Sequence, residues 1–337
     1  MVNCSIITSR GGIFVKKNNI KGCLILAVTA LIWGTAFIAQ RTGTEFVGSF
    51  TFTFCRSLLA AVVLLPVSLF LGRGKKKEGL PLLGFGQKKL ITAGVLSGVF
   101  LFAATSFQQT GIQYTTSGKS AFITAMYMII APLIGMLFGK RPGLNVWAGI
   151  AVGAGGMYLL CMGGESGMGK GDLLTLVCAF LFALQILAID RYSGEVDCIK
   201  MSFIQFAVCT LLSLPFMFIF ETPQMSAIAD CAFPLLYTGV LSSAVAYTLQ
   251  IIGQKYADMT TATLTMSLES VFAAIAGWLI LKETMGVREI VGCVLIFAAI
   301  VVSQLNPGKK AGAQELPLRR KRRIPPQSRK AKSQDFS

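Results

Sequence analysis

Ten apolar stretches follow one another between Gly22 and Gln304, each close to the length that a helix needs to cross the hydrocarbon core of a bilayer. They fall at Gly22 to Gln40, Gly48 to Leu71, Leu90 to Thr110, Gly118 to Phe138, Leu144 to Met162, Gly171 to Ile189, Met201 to Phe220, Cys231 to Ile251, Thr260 to Leu281 and Ile290 to Gln304. A chain patterned this way has little choice of solvent. Its 54% hydrophobic and 14% charged residues, with a mean hydropathy of +0.67, are out of range for a soluble domain, where about a quarter of residues are charged. The expected fold is all-α and integral to the membrane, with ten transmembrane helices. The fifth stretch carries Gly149, Gly153, Gly155 and Gly156, which predicts close packing against a neighbouring helix. The first stretch is longer than a signal-peptide core and further spans follow it, so it is read as a retained helix.

Charge then orients the chain. Counting Lys and Arg on alternate sides of the ten stretches gives 25 against five, the richer side holding the lead before Gly22, the Gly72–Lys89 loop and the tail. By the positive-inside rule both termini are cytoplasmic, which requires an even number of spans. The formal charge of +16 is thus an orientation signal and not a nucleic-acid surface. The tail from residue 306, proline-broken and strongly basic, is expected to be disordered, with contact to anionic lipid headgroups as its functional option. The lead is residues 1–20.

The chain also repeats itself. Lys21-Gly22-x-Leu24 matches Lys170-Gly171-x-Leu173, Phe54-x-Arg56 matches Phe203-x-Gln205, and Leu65-Pro66 matches Leu214-Pro215, all at a spacing of 149. Gly94-Val95-Leu96-Ser97 matches Gly239-Val240-Leu241-Ser242 at 145, and Tyr114 with Gly135 matches Tyr256 with Gly277 at 142. The repeat unit is five helices, residues 21–163 and 171–305. An odd unit places its second copy upside down, giving two inverted five-helix repeats, an architecture that can open one central site to either side in turn.

No histidine is present, which excludes imidazole metal ligands, histidine-based nucleophile triads and a histidine proton relay. There is no G-x-x-x-x-G-K-[ST] phosphate loop, and Gly72-x-Gly74-Lys75 is a basic turn. Nine cysteines without a C-x-x-C spacing, lying mostly inside apolar stretches, read as packing residues. No cofactor, metal or nucleic acid is expected; the partners are the bilayer and a small-molecule substrate, and oligomeric state is not readable.

Glu269 is the residue that most needs a reason. It stands near the middle of the ninth stretch, where a carboxylate costs about 3 kcal/mol on insertion scales and is expected to face a bundle interior or a wet cavity. Thr261 and Thr265 share its helical face. Glu269 is the candidate for substrate contact and for proton coupling; its alternative is an interhelical hydrogen bond. Tyr127 matches Glu269 at 142, so it is expected across the cavity from it. Lys119, at the head of the fourth stretch, either attracts a carboxylate or snorkels to the surface. Arg56, buried in the second stretch, is read as a structural charge needing a partner. Trp33 offers an aromatic wall, and Gln108, Gln185, Tyr247 and Gln250 supply hydrogen bonds, each equally readable as glue between helices.

Leu31-Ile32-Trp33-Gly34-Thr35, Phe54-x-Arg56, Gln109-x-Gly111-x-x-Tyr114-Thr115-Thr116, and Ser267-Leu268-Glu269-Ser270-Val271-Phe272-Ala273 with Trp278 and Lys282-Glu283 resemble the EamA domain of the drug/metabolite transporter superfamily, in two copies over about Lys21 to Gln304. The resemblance implies a ten-helix secondary transporter, not an enzyme, that moves small metabolites such as amino acids, often outward, across a cell membrane, with a bacterial cytoplasmic membrane as the expected location. Where the family has proline after the glutamate this chain has Ser270, so the family's kink is not carried over. Two competing classes are a non-transporting scaffold or sensor, against which the short loops argue, and a lipid-active enzyme, against which the scattering of Glu269, Asp190 and Arg56 argues.

Overall fold

The computed structural model describes residues 17–72, 87–139, 142–161, 169–280 and 286–304. The early part of the N-terminal lead, most of the basic Gly72–Lys89 loop, Lys140 with Arg141, Lys282 with Glu283, and the basic tail lie outside these residues.

Every regular element among the described residues is helical, the form that satisfies backbone N–H and C=O groups within one segment where no water can. The first half holds α1 (Lys17–Gly43), α2 (Ser49–Gly72), α3 (Lys88–Gly111) with a 3-10 turn at Ile112–Tyr114, α4 (Ser117–Ala125), α5 (Tyr127–Leu137) and α6 (Leu144–Cys161). The second holds α7 (Lys170–Tyr192), α8 (Cys198–Phe220), the short α9 (Met225–Asp230) and α10 (Ala232–Leu236), a π-helical segment Tyr237–Ala246, α11 (Tyr247–Tyr256), α12 (Met259–Met266), α13 (Leu268–Ile280) and α14 (Val287–Gln304). Eight helical runs are long and apolar enough to span a bilayer; α6 and α14 contain shorter apolar stretches and pack on each other. Large apolar side chains such as Leu24, Phe70, Leu211, Phe218 and Ile219 are exposed on the outside of the bundle, where a lipid-facing surface places them.

Contacts between the halves come in matched sets. α3 packs on α7, and its repeat counterpart, the π segment with α11, packs on α1; α2 packs on α8, and α6 on α14. Gly22 lies against Gly253 and Ala257, while its counterpart Gly171 lies against Gly111 and Tyr114, each at a distance that a Cβ would violate. The Lys21 ammonium stands 4.6 Å from the Tyr256 ring centroid and that of Lys170 4.7 Å from the Tyr114 ring, so sequence matches at spacings of 149 and 142 become equivalent contacts. In the fifth stretch Gly156 meets the backbone of Gly292 and Ile296 in α14, as its glycine content predicts, whereas Gly155 faces open space.

Two of the stretches read as single helices are broken. The fourth is interrupted at Met126 and the ninth at Ser267. At the second break serine hydroxyls compete for backbone carbonyls: Ser267 Oγ donates to Leu264 O (2.7 Å) and Ser270 Oγ to Ser267 O (2.8 Å). Ser270, standing where the family has proline, thus takes part in a discontinuity of its own. At the first, Pro132 in the following turn has no N–H to give Met128 O. The eighth stretch also departs from a plain α-helix, through the π segment.

Candidate functional site

The two breaks bring the chemistry to the middle of the bundle. Tyr127 is the first residue of α5 and Glu269 the second of α13, so each stands directly after its break. Both are 2% exposed and line one cavity, which contains about 380 Å³ of space between atoms, including the part continuous with solvent.

The cavity lining is contributed by both halves, largely in repeat pairs. Trp33 on α1 and Phe182 on α7 are 149 residues apart, as are Phe37 and Ile186. Gln108 on α3 and Gln250 on α11 are 142 apart, as are Tyr127 and Glu269. The duplication therefore supplies a common shape, and the substitutions within pairs supply the chemistry: indole against phenyl, phenol against carboxylic acid.

The π segment explains the remaining polar lining. Widening from i+4 to i+5 bonding releases carbonyls and turns side chains off the α-helical register. Ser242 O accepts the Trp33 indole N–H (3.2 Å), and Ser243 Oγ accepts the Arg56 Nε–H (3.2 Å). Trp33 is further held against Tyr247, ring centroids 4.7 Å apart, and Tyr247 edge-on to Phe206 at 5.5 Å. Arg56 Nη1 donates to Gln40 Oε1 (3.2 Å). Gln250 and Gln185 exchange amide hydrogen bonds (3.2 and 3.4 Å), and Gln108 donates to Thr124 Oγ1 (3.2 Å).

Of the residues expected at the site, Trp33, Tyr127, Tyr247, Gln250 and Glu269 line the cavity. Gln185 does not line it; its amide fixes the orientation of Gln250. Lys119 lies elsewhere. Its ammonium pairs at 2.6 Å with Asp172, a carboxylate 3% exposed that also accepts the Gly169 N–H and the Thr115 hydroxyl at the start of α7. Arg56, expected only as a structural charge, lines the cavity with Glu269. Phe37, Phe182 and Ile186 were missed, although projecting Trp33 forward by 149 finds Phe182; Ser242 in the lining and Ser243 as an acceptor for Arg56 were not findable because nothing in Tyr237–Ala246 announces a π segment.

The interior carries unmet demand. The Tyr127 hydroxyl and Glu269 Oε1 are buried with no hydrogen-bond partner among the described residues. The two side chains are near enough to interact with each other. Unsatisfied polar groups facing a shared cavity are what a site for water or a polar solute requires.

The model of the EamA-like transporter family matches this chain twice, over residues 20–162 and 169–304. The chain belongs to the EamA-like transporter family. It is a multi-pass membrane transporter of that family. Relatives include an uncharacterized transporter of Archaeoglobus fulgidus, 30% identical over 286 residues that cover 83% of this chain and 85% of the relative. The uncharacterized transporter YoaV of Bacillus subtilis is 25% identical over 83% of this chain and 94% of its own length. A WAT1-related chloroplastic protein of Arabidopsis thaliana is 26% identical over 84% of this chain and 69% of its own. A solved crystal structure with 18% identity superposes with a TM-score of 0.68, covering 84% of this chain and 96% of that one, which supports the fold.

Proposed function

We propose that this EamA-like protein is a secondary transporter that exports small metabolites such as amino acids by alternating access, with two inverted five-helix repeats rocking about the central cavity. The observation that carries the reading is the cavity itself, lined in repeat pairs from both halves by Trp33 with Phe182, Gln108 with Gln250, and Tyr127 with Glu269. A site built across a repeat boundary changes shape when the repeats move, and interrupted helices place polar groups there without exposing backbone to lipid. Trp33, Tyr127, Tyr247, Gln250 and Glu269 contact the substrate; Gln185 orients Gln250; Glu269 is the group that takes and releases a proton if transport is proton-coupled. Lys119, paired with Asp172 at the head of α4, lies outside the cavity lining. The protein sits in a cell membrane with both termini cytoplasmic, as the distribution of Lys and Arg indicates.

The test is flux into and out of proteoliposomes for a panel of amino acids and related metabolites, with wild type and Glu269→Gln compared across a pH series. Saturable flux by wild type, with a pH dependence altered by the substitution, is expected. Folded protein that moves nothing on the panel refutes transport of this class, and a Glu269→Gln variant with unchanged rate and pH profile removes Glu269 from the mechanism.

A further inference from the structure

Arg56 is a cation without an anion. It is 2% exposed, and among the described residues it makes no ion pair. Its partners are neutral: Ser243 Oγ and Gln40 Oε1 accept from Nε and Nη1, and the Tyr247 side chain stands beside the guanidinium. A guanidinium has five N–H donors, so these contacts leave part of its fork for another acceptor. Its repeat counterpart Gln205 offers no compensation, being neutral and itself buried with both amide atoms unpartnered. A buried charge left in this state is costly, and the cost is recovered when an anion arrives, since an oxyanion meets the planar fork with two parallel charge-assisted hydrogen bonds.

We propose that Arg56 is the receptor for a carboxylate group on the transported molecule, and that it makes the site select small monocarboxylates over their uncharged analogues. This rests on the reading of the cavity as the transport site. Arg56 and Glu269 are the charged side chains lining the cavity, and they do not pair with each other. One guanidinium among the lining side chains matches one carboxylate, and an uncharged analogue leaves it unpaired. The rest of the substrate lies among Trp33, Phe182 and Tyr247, which suits an apolar or aromatic body. Gln40 and Ser243 hold the guanidinium in place while the site is empty; Gln40 is a neutral acceptor that a carboxylate displaces.

The carboxylate can belong to an α-amino acid or to a simple carboxylic acid, and the test separates these. Full-length protein in nanodiscs is titrated with L-leucine, 4-methylpentanoate and L-leucinamide, and with L-phenylalanine, 3-phenylpropanoate and L-phenylalaninamide, reading Trp fluorescence and thermal stabilisation. In wild type at least one acid of each trio is expected to bind about thirtyfold or more tightly than its amide, the change that accompanies loss of a charge-assisted pair. Binding of both the amino acid and the deaminated acid means that Arg56 alone sets recognition; binding of the amino acid only means that the ammonium is read as well. Arg56→Gln, which copies the other half, is expected to abolish the preference for acids, and Arg56→Lys to weaken it. The proposal is overturned by equal binding of acid and amide in wild type, by no binding of any acid, or by an Arg56→Gln variant that keeps the preference. The wild-type comparison needs no variant to fold. Flux in liposomes is read alongside: acids bound but not moved leave the carboxylate receptor standing and refute transport, whereas acids and amides moved alike do the reverse.

Discussion

The crossing of α1 over α13 holds the acid of the cavity in place, and a single methyl group tests it. A Cβ added at Gly34 would stand 2.5 Å from Phe272 Cβ, 2.7 Å from Glu269 O and 2.8 Å from Ala273 N. Carbon atoms in good contact are about 3.5–4.0 Å apart, so the two helices must part by roughly 1 Å. Two of the three obstructing atoms are backbone, which cannot swing aside as a long side chain does, and one is the carbonyl of Glu269 itself. Overpacking of this kind costs about 1–3 kcal/mol. The same position in the other half is Ala183, fully buried on α7, so that crossing accommodates a Cβ and the constraint at Gly34 is local to the half that packs on Glu269.

Gly34→Ala should therefore lower the unfolding free energy in mild detergent by about 1–3 kcal/mol. If the α1–α13 contact differs between inward- and outward-open states, the same energy shifts their ratio by about 5- to 150-fold, which proteoliposome flux reads as a changed rate. Gly155→Ala is the control, because Gly155 faces open space on α6 and a Cβ there meets nothing within 4 Å. A Gly34→Ala protein as stable as the Gly155→Ala control, with wild-type flux, would show that α1 and α13 slide freely past one another and would refute the argument.

Three further outcomes are expected. Glu221 caps a helix of the opposite half, its carboxylate accepting the Phe50 and Thr51 N–H groups (2.8 Å each) and the Thr51 hydroxyl (2.6 Å) at the start of α2, so Glu221→Gln should cost about 1–2 kcal/mol in a denaturation series. A Cβ on Gly48 would fall 2.2 Å from Glu221 Cδ, so Gly48→Ala should give a similar loss that does not add to the first; additive losses would count against the shared cap. Lys119→Ala, Asp172→Asn and the double variant should show a coupling of about 1–3 kcal/mol in a double-mutant cycle, because the pair is largely sequestered; a coupling near zero would reduce it to a surface contact. Glu195, outside the spans, is held below its ordinary pKa first by its hydrogen bond from Lys89 and then by Arg191, so the stability it contributes is present above the ordinary carboxylate range and lost as pH falls through the lowered value; acid unfolding curves should lose that component in Glu195→Gln.

The halves kept a shape and diverged in charge, and that division explains which features could be read from the sequence. Shape is carried by apolar length and by glycines, both periodic along the chain, so eight long apolar helical runs, the matched contacts of Lys21 with Tyr256 and Lys170 with Tyr114, and the placing of Tyr127 and Glu269 at one cavity were legible, whereas the breaks at Met126 and Ser267 were not. Chemistry is carried where the copies differ, and there a repeat is silent. Arg56 stands opposite a glutamine, Glu269 opposite a tyrosine, and Lys119 with Asp172 opposite Thr261 and Cys23, so one end of the bundle has an ion pair that the other lacks. Lys119 looked like a lure for substrate because its partner lies 53 residues away on α7, beyond any local pattern. Arg56 looked structural because one of its acceptors, Ser243, sits in the π segment, whose widened turns no local sequence preference foretells. If two copies of one unit are to open alternately, their closed forms must differ in energy by little, and single charged substitutions between copies are large enough to set that difference. In the transport cycle proposed above, direction and selectivity would fall to the uncopied residues, and the fold to the copied ones.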